Sequence, residues 1–337
     1  MLKKRRRKRA SGAASSLILA ALMLSACSEN TDSPTENTAF EANSSQPSQT
    51  GLQKNKPDQE IQSPSRLPEA EQDRIADDFE ALLKQGGTLK EAFDSLGQYT
   101  GKMSGERMST MLLAFEDAQR EALGPLTDRY YEGNRQEMLN QVIEEGDTLE
   151  ELIGKVQDDS LKTLLTETRE GKFVLDWTEG MFSPTPDYTA LAAFGSQAGD
   201  DTAAYLKLMA QETVQPTSRD AGLTITWEEL LNRSLALEKL TTKYPDFKWT
   251  EDLETKLDYY KRTLMYGLDN TPLFGFETSV MEPEARQAYE AALAEGDVEA
   301  SPLLQNLRAF MDEAAKEEYK LNESLEELRS KLTSADS

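Results

Sequence analysis

Residues 68–91 read PEAEQDRIADDFEALLKQGGTLKE, and this stretch predicts the helical character of the whole domain. Its large apolar side chains recur at the spacing of one helix face; they are Ile75, Phe79, Leu82 and Leu83. Gly86-Gly87 ends this first helix, because glycine readily adopts the left-handed backbone found after many helices. Thr88-Leu89-Lys90-Glu91 predicts a capping box, in which Thr88 and Glu91 each satisfy a backbone N–H at the start of a second helix.

The same start signal recurs at Thr148-Leu149-Glu150-Glu151 and at Thr226-Trp227-Glu228-Glu229. Apolar periodicity predicts further helices, over 105–122, 125–145, 158–170, 187–196, 201–213, 250–267, 283–295 and 302–332. Leu223-Thr224-Ile225-Thr226 is the one short alternating stretch that would suit a strand. The predicted fold class is therefore all-α, a multi-helix bundle or an irregular helical array.

An internal sequence similarity raises the alternative of short helical-pair repeats. Residues 82–91 and 142–151 share an apolar pair, a Gly stop, a Thr cap, a Leu and a Glu, sixty residues apart. A duplicated helical pair would build a solenoid-like binding surface. We favour the simpler interpretation, because any tight corner between two helices needs a stop followed by a cap.

Two apolar stripes have different predicted roles. The first indicates a core-facing helix; it comprises Trp249, Leu253, Leu257, Tyr260, Leu264 and Leu268. The second nearly follows a heptad seam, with an interruption at Glu317; it comprises Leu303, Leu307, Phe310, Ala314, Leu321, Leu325, Leu328 and Leu332. A seam of this length would suit a dimer through the segment 302–332, or one long helix packed on its own domain.

The first 27 residues have the pattern of an export signal. Positions 3–9 are all basic, Leu17–Leu24 is apolar, and the small residues Ser25-Ala26 precede Cys27, the one cysteine of the chain. A membrane-spanning helix needs about 20 apolar residues, so this shorter run favours a cleaved signal peptide over residues 1–26. An ordinary secretory signal with an incidental cysteine is the alternative.

Leu24-Ser25-Ala26-Cys27 resembles the lipobox of bacterial lipoproteins, and the resemblance covers residues 1–27. In that family the cysteine thiol receives a diacylglyceryl group, the chain is cut before it, and the cysteine becomes the new N-terminus. The resemblance implies lipid attachment at Cys27 and a stable hold on the extracytoplasmic face of the cell membrane, since two acyl chains bind far better than one. An outer-membrane location is the alternative if the cell has two membranes.

Residues 28–67 are polar and carry few large apolar side chains. Such a segment cannot bury enough surface to repay the entropy of ordering it, which predicts a disordered tether. The predicted organisation is a signal peptide at 1–26, a lipidated cysteine and linker at 27–67, and a helical domain at 68–337. A break near 180–200 would divide that domain into two subdomains.

Composition excludes several kinds of chemistry. The chain has no histidine, and its single cysteine is assigned to lipid. Ser-His-Asp and Cys-His catalysis and zinc sites built on His or Cys are therefore excluded, as are disulfides within the chain. The sequence also lacks the calcium-loop spacing D-x-[DN]-x-[DN]-G and a glycine-rich phosphate loop. We expect no metal, no cofactor and no catalytic residues.

The chain is strongly acidic. Its basic head supplies seven of the 37 Lys and Arg residues, leaving 30 against 61 Asp and Glu, a net charge of −31 after cleavage. A surface of this sign repels phosphate backbones, so we expect no nucleic-acid partner. It favours basic partners or divalent cations, or it serves to keep an exported domain soluble.

Acidic and aromatic residues crowd together in three predicted loops between helices. The candidate ligand contacts are Asp176, Trp177 and Glu179 in 173–188, Asp246 and Trp249 in 244–249, and Asp269 and Asn270 in 267–277. Aromatic rings stack on sugars and carboxylates bind hydroxyls, so a glycan contact is chemically sensible. The alternative is that these aromatics anchor helix ends to the core.

The leading hypothesis is a membrane-anchored lipoprotein whose helical domain binds or scaffolds a protein or envelope polymer without catalysis. The first alternative is a carboxylate-dependent enzyme that cleaves cell-wall glycan, which would need two carboxylates at a set separation. The second is the solute-binding component of a transporter, which would normally need two α/β lobes.

Overall fold

Helices dominate the part of the chain that the computed structural model describes, residues 66–144 and 146–334. The helices are α1 (Glu69–Lys84), α2 (Leu89–Gln98), α3 (Gly105–Tyr130), α4 (Arg135–Val142), α5 (Leu149–Lys155), α6 (Asp159–Glu170), α7 (Tyr188–Ala192), α8 (Asp200–Val214), α9 (Trp227–Lys243), α10 (Thr250–Tyr266), α11 (Pro283–Glu295), α12 (Pro302–Lys316) and α13 (Glu323–Leu332). Three antiparallel pairs of strands accompany them: β1 (Phe173–Thr178) with β2 (Met181–Pro186), β3 (Ser218–Arg219) with β4 (Gly222–Leu223), and β5 (Gly267–Leu268) with β6 (Thr271–Pro272). The predicted all-α class is confirmed. The predicted signal peptide, Cys27 and nearly all of the tether lie outside the described residues.

The single helix predicted over 125–145 is wrong, because the segment is divided between α3 and α4. Helix α3 continues through Pro125 to Tyr130, and α4 does not begin until Arg135. Proline costs a helix one backbone hydrogen bond. That loss is offset here because Leu126 and Tyr130, just beyond the proline, are both buried.

Two of the three predicted capping boxes are complete. The hydroxyls of Thr88 and Thr148 each accept from the backbone N–H three residues later, and the glutamate at that position accepts from the threonine N–H in return. The third box is half formed. Thr226 Oγ1 accepts from Glu229 N at 3.1 Å, but the Glu229 carboxylate is instead bound to Arg233 Nε at 2.8 Å.

The two similar segments, 82–91 and 142–151, form the connections between α1 and α2 and between α4 and α5. Gly86 and Gly146 both have positive φ, 85° and 89°, immediately before a complete capping box. The helices that meet at these corners differ: α1 and α2 have 16 and 10 residues, whereas α4 and α5 have 8 and 7. The difference favours the corner interpretation over a duplicated unit.

The described residues form two hydrophobic clusters that share α3. The first cluster takes in α1, α2, the first half of α3 and most elements from α7 onward. The second is built from the end of α3, α4, α5, α6 and the β1–β2 hairpin. Residues 126–182 thus supply the second cluster, and residues on both sides of them supply the first. Subdomains divided near 180–200 stay a prediction.

The segment 173–188 is a hairpin rather than the predicted loop. Glu179 and Gly180 have φ of 51° and 79°, the backbone that a two-residue type I′ turn requires. Two prolines obscured β2 in the sequence, since proline is rare in strands. The ladder bond from Asp187 N to Lys172 O sets the alternation, so Pro184 and Pro186 fall at positions where no N–H faces β1.

The segment 267–277 also contains a short hairpin where a loop was predicted. Gly267 has φ of 76°, and a Cβ placed on it would lie 2.4 Å from both Leu273 N and Thr271 O. No other residue fits this position without displacing backbone. Glycine therefore permits β5 to turn directly off the end of α10.

The single helix predicted over 302–332 is wrong, because α12 ends at Lys316 and α13 begins at Glu323. Glu318 and Tyr319 have positive φ between them. Leu321 N then donates to Ser279 O at 2.8 Å, and Arg329 Nη1 donates to Met265 O at 3.3 Å, so α13 folds back onto earlier segments.

Both apolar stripes pack inside the chain. In the α10 stripe, Leu253, Leu257, Tyr260 and Leu264 are buried, which confirms the predicted core face. The seam residues Leu303, Leu307, Phe310, Ala314 and Leu325 are buried in the first cluster. The intramolecular alternative therefore explains the near-heptad pattern without a dimer.

None of the described helices is long and apolar enough to cross a bilayer.

Candidate binding site

A groove of about 530 Å³ lies where the β1–β2 hairpin meets the C-terminal end of α8. We call it the hairpin groove. Its walls come from the hairpin, from the last turns of α8 and from the segment that follows. They include Asp176, Thr185, Glu212, Val214, Pro216 and Arg219. Val214 is 76% exposed. The groove therefore offers an apolar wall, hydroxyl groups and two carboxylates to a ligand.

Glutamine side chains fix the hairpin that forms one wall. Gln119 of α3 donates to the carbonyls of Gly171 and Lys172, at 2.9 and 2.7 Å, just before β1. Gln136 of α4 accepts from Phe182 N and donates to Phe182 O, both at 2.8 Å. These bonds hold both strands to the helices of the second cluster, so the groove has a rigid wall.

The edge of β1 that faces away from β2 is unpaired. Antiparallel strands pair through every second residue, so Leu175 and Trp177 direct their backbone groups outward. Neither residue's outward backbone groups have a partner among the residues that the structure describes. The corresponding edge of β2 is closed by Gln136 and lacks N–H groups at Pro184 and Pro186. An available strand edge thus borders the groove, to which Leu175 contributes.

An ion pair joins the two sides of the groove. Arg219 Nη2 lies 2.7 Å from Asp176 Oδ1, and both side chains are about one third exposed. Asp176 is thereby fixed by a partner 43 residues later in the chain. A carboxylate held this way has a fixed orientation toward a ligand in the groove.

Glu212 is the second carboxylate of the groove, and it is held by a dense set of donors. Thr217 Oγ1 lies 2.6 Å from its Oε1, Arg233 Nη1 lies 2.7 Å away, and the Tyr260 hydroxyl also donates to it. Burial alone would raise the pKa of Glu212. The charge of Lys256 and the three hydrogen bonds outweigh burial and hold the pKa of this carboxyl below its usual value.

Glu212→Gln should lower the free energy of unfolding at pH 7 by about 1–2 kcal/mol, because hydrogen bonds to a charged acceptor become bonds to a neutral one. The pKa of Glu212 is lower in the folded state, so its contribution is present above the unfolded-state pKa and is lost as the pH falls through the folded-state pKa. Urea unfolding at pH 7 and at pH 4 measures this. The variant should lose less stability between the two pH values than the parent, and an unchanged difference would contradict the assignment. Glu254→Gln, at an exposed acid on α10, is the matched control.

A buried carboxylate lies behind the groove. Glu116 of α3 is fully buried. It accepts from Tyr188 Oη at 2.7 Å, from Trp249 Nε1 at 2.8 Å and from the Tyr205 hydroxyl, and Arg120 Nη2 lies 3.3 Å away. Burial first, and then the charge of Glu116, raises the pKa of both tyrosines, which therefore stay protonated donors. This Glu116 cluster joins α3, α7, α8 and the start of α10.

The structure separates the residues predicted from the segment 173–188. Asp176 contributes to the hairpin groove, whereas Trp177 follows it in the strand and points to the opposite face. Trp177 is nevertheless 47% exposed, since it lies near the hairpin tip. Glu179 occupies the turn itself, with positive φ. These three residues therefore do not form one contact surface.

The other predicted residues divide in the same way. Trp249 belongs to the Glu116 cluster, with Arg120 stacked 3.7 Å from its ring centroid, so this aromatic connects the start of α10 to α3. Asp246 is exposed just before α10. Asn270 donates through its side chain to Asp220 O at 2.6 Å, and Asp269 is exposed beside it. The β3–β4 hairpin thus contacts both Asp176, through Arg219, and Asn270.

Sequence reasoning missed Glu116, Glu212 and Arg233. The apolar stripe of α3 runs through Met108, Leu112 and Phe115, and Glu116 follows Leu112 by four residues on the same face. An acid at a core position was the available signal for Glu116. Glu212 and Arg233 lie on different helices, and nothing in their local sequence indicates that they meet.

Within residues 66–144 and 146–334, no group of three or more acidic side chains is arranged to hold a metal ion. No protein-family model matches this chain, and neither the curated proteins nor the solved structures contain a match to it.

Proposed function

We propose that this chain is a membrane-tethered, non-catalytic binding module of the cell envelope, anchored through lipid on Cys27. Its hairpin groove takes up an extended segment of a partner protein, which adds a strand to the free edge of β1. The observation that carries this proposal is the unpaired edge at Leu175 and Trp177 beside an open groove. Strand addition of this kind supplies affinity through backbone hydrogen bonds and specificity through the groove wall.

The state of the two groove carboxylates supports binding over glycan cleavage. A glycosidase needs one carboxyl with a raised pKa as proton donor and a second carboxylate as partner. Asp176 is paired with Arg219, and the pKa of Glu212 is lowered. Glu116 is fully buried and out of reach of a substrate. The transporter alternative has less support than the enzyme alternative, because the α/β lobes usual in solute-binding proteins are absent from the described residues.

The charge of the chain indicates what kind of segment would bind. After cleavage the net charge is −31, so a basic partner is favoured during the encounter. Thr185 and Val214 offer hydroxyl and apolar contacts to alternate side chains of an added strand. The preferred ligand is therefore an extended segment that combines basic and apolar residues.

A photo-crosslinking residue at Val214 should capture the partner in cells, whereas the same residue at Phe276 should not. Both positions are highly exposed, at 76% and 81%, and Phe276 is not a lining residue of the hairpin groove. Leu175→Pro removes the outward N–H of β1 and should abolish the Val214 crosslink. Proline is tolerated at such edge positions, so the hairpin should persist.

Leu175→Ala is the matched control, because it loses the same side chain and keeps the N–H. A crosslink that survives Leu175→Pro, or one that Leu175→Ala removes equally, would contradict strand addition. Incubating the protein with purified wall polymer and assaying new reducing ends tests the enzyme alternative. Reducing ends that depend on Asp176 or Glu212 would overturn the non-catalytic proposal.

A further inference from the structure

A second groove, of about 430 Å³, lies between α8 and α9. We call it the lysine groove, because Lys207 of α8 and Lys239 and Lys243 of α9 line it. All three side chains are exposed, and none forms an ion pair with an acid among the described residues. Lys239 and Lys243 are four residues apart, which places them on the same face of α9.

The acids near this groove are too few to neutralise it. Asp200 and Glu229 are its acidic lining residues, and Glu229 already accepts from Arg233 Nε at 2.8 Å. Arg233 in turn is 5% exposed and is also bound to Glu212, at 2.7 Å. Three exposed lysines therefore share the groove with one carboxylate that is not ion-paired to an arginine, Asp200, whose charge acts on Lys243. Elsewhere in the chain acids far outnumber bases.

The aliphatic part of the lining of the lysine groove is formed largely by small side chains. It comprises Ala203, Ala204, Leu208, Ala236 and Leu240. The groove also shares Lys207, Gln211 and Arg233 with a neighbouring cavity of about 520 Å³. Its volume is in the range of small-molecule sites, about 300–1,000 Å³. A ligand with an anionic group and a compact apolar body fits both features.

We propose that the lysine groove is a binding site for a soluble phosphate ester. Its phosphate would contact the lysine ammonium groups, which bind phosphate as point charges, and its apolar part would contact the aliphatic lining. The net charge of −31 that the chain would carry after the proposed cleavage disfavours approach to an anionic bilayer, so a free ester is favoured over a lipid headgroup. At physiological salt the distant acids are screened beyond about 8 Å, so a small anion within the groove mainly experiences the nearby lysines.

Isothermal titration of full-length protein in a non-ionic detergent tests this site with phenyl phosphate as the probe. Phenyl phosphate should bind more tightly than inorganic phosphate, which lacks the apolar part, and more tightly than benzoate, which lacks the phosphate. The double variant Lys239→Gln/Lys243→Gln should weaken phenyl phosphate binding by about tenfold, since it removes two charge-assisted contacts. Glutamine retains high helix propensity, so α9 should persist.

The matched control is Lys320→Gln/Lys331→Gln, which removes two exposed lysines outside the lysine groove. This control should bind phenyl phosphate as the parent does. Equal affinity in the parent and in the groove variant would overturn the site. Benzoate that binds as well as phenyl phosphate would overturn the ligand class. Phosphatidylglycerol vesicles that sediment with the parent, but not with the groove variant, would overturn the soluble source in favour of lipid.

Discussion

Glu116→Ala should lower the free energy of unfolding by about 3–5 kcal/mol, the usual cost of removing one partner from a buried charged network. The substitution leaves Tyr188, Tyr205 and Trp249 without their acceptor in a site closed to water. It also leaves Arg120 without one of its two carboxylate partners. Urea unfolding followed by circular dichroism at 222 nm measures the loss, and the melting temperature should fall by about 10 °C.

Glu121→Ala is the matched control for this prediction. Glu121 is an exposed acid on the same helix, α3, so its removal should change the free energy of unfolding by less than about 0.5 kcal/mol. Glu116→Gln should give an intermediate loss, because the amide keeps one acceptor but turns its NH₂ group toward other donors. A Glu116→Ala protein as stable as the Glu121→Ala control would show that the cluster does not hold the four helices together.

Cys27→Ser should release the protein from the membrane fraction or leave it as an uncleaved precursor. The reason is the proposed lipid: without the thiol no diacylglyceryl group is attached, and the two acyl chains that supply stable anchoring are lost. Fractionation of cells followed by intact-mass measurement of the product distinguishes these outcomes. The parent should carry the mass of the lipid on a chain that begins at Cys27.

Ser44→Ala, in the polar segment that follows, is the control and should leave lipid mass and membrane retention unchanged. A Cys27→Ser protein that stays in the membrane at the mature size would refute lipid attachment. This result would not bear on the hairpin groove, because Val214 crosslinking tests that site separately. The proposed lipid anchor and the proposed binding groove can thus be refuted independently of each other.

Helix periodicity and capping predict most of the helical order of this chain. Thr88 with Glu91 and Thr148 with Glu151 form the expected boxes, because these contacts lie within four residues. At Thr226 only half of the predicted capping box forms. Glu229 has the right spacing but binds Arg233, which is also held by Glu212 of another helix. Glu229 can bind either the Thr226 N–H or Arg233, and the contact of Arg233 with Glu212 on another helix favours the second.

The hairpin groove illustrates the same limit for function. Asp176 and Trp177 are neighbours in sequence, which predicts one contact surface, yet strand alternation places their side chains on opposite faces. Prolines at 184 and 186 hid the strand that causes this separation. The ion pair with Arg219 and the hydrogen-bonded Glu212 depend on residues tens of positions apart, so no local pattern could indicate their state. The sequence therefore pointed to acids in the right region but not to their surroundings.

The position of α13 has a consequence for when the domain can fold. This last helix contributes Leu325 to the first cluster and is bound to Ser279 O and Met265 O through Leu321 and Arg329. Those contacts join the final residues to segments that emerge about 40 to 60 positions earlier. The first cluster therefore stays incomplete during synthesis until α13 has emerged and can pack. Under the export proposed above, the chain would complete this core only after α13 has left the translocon.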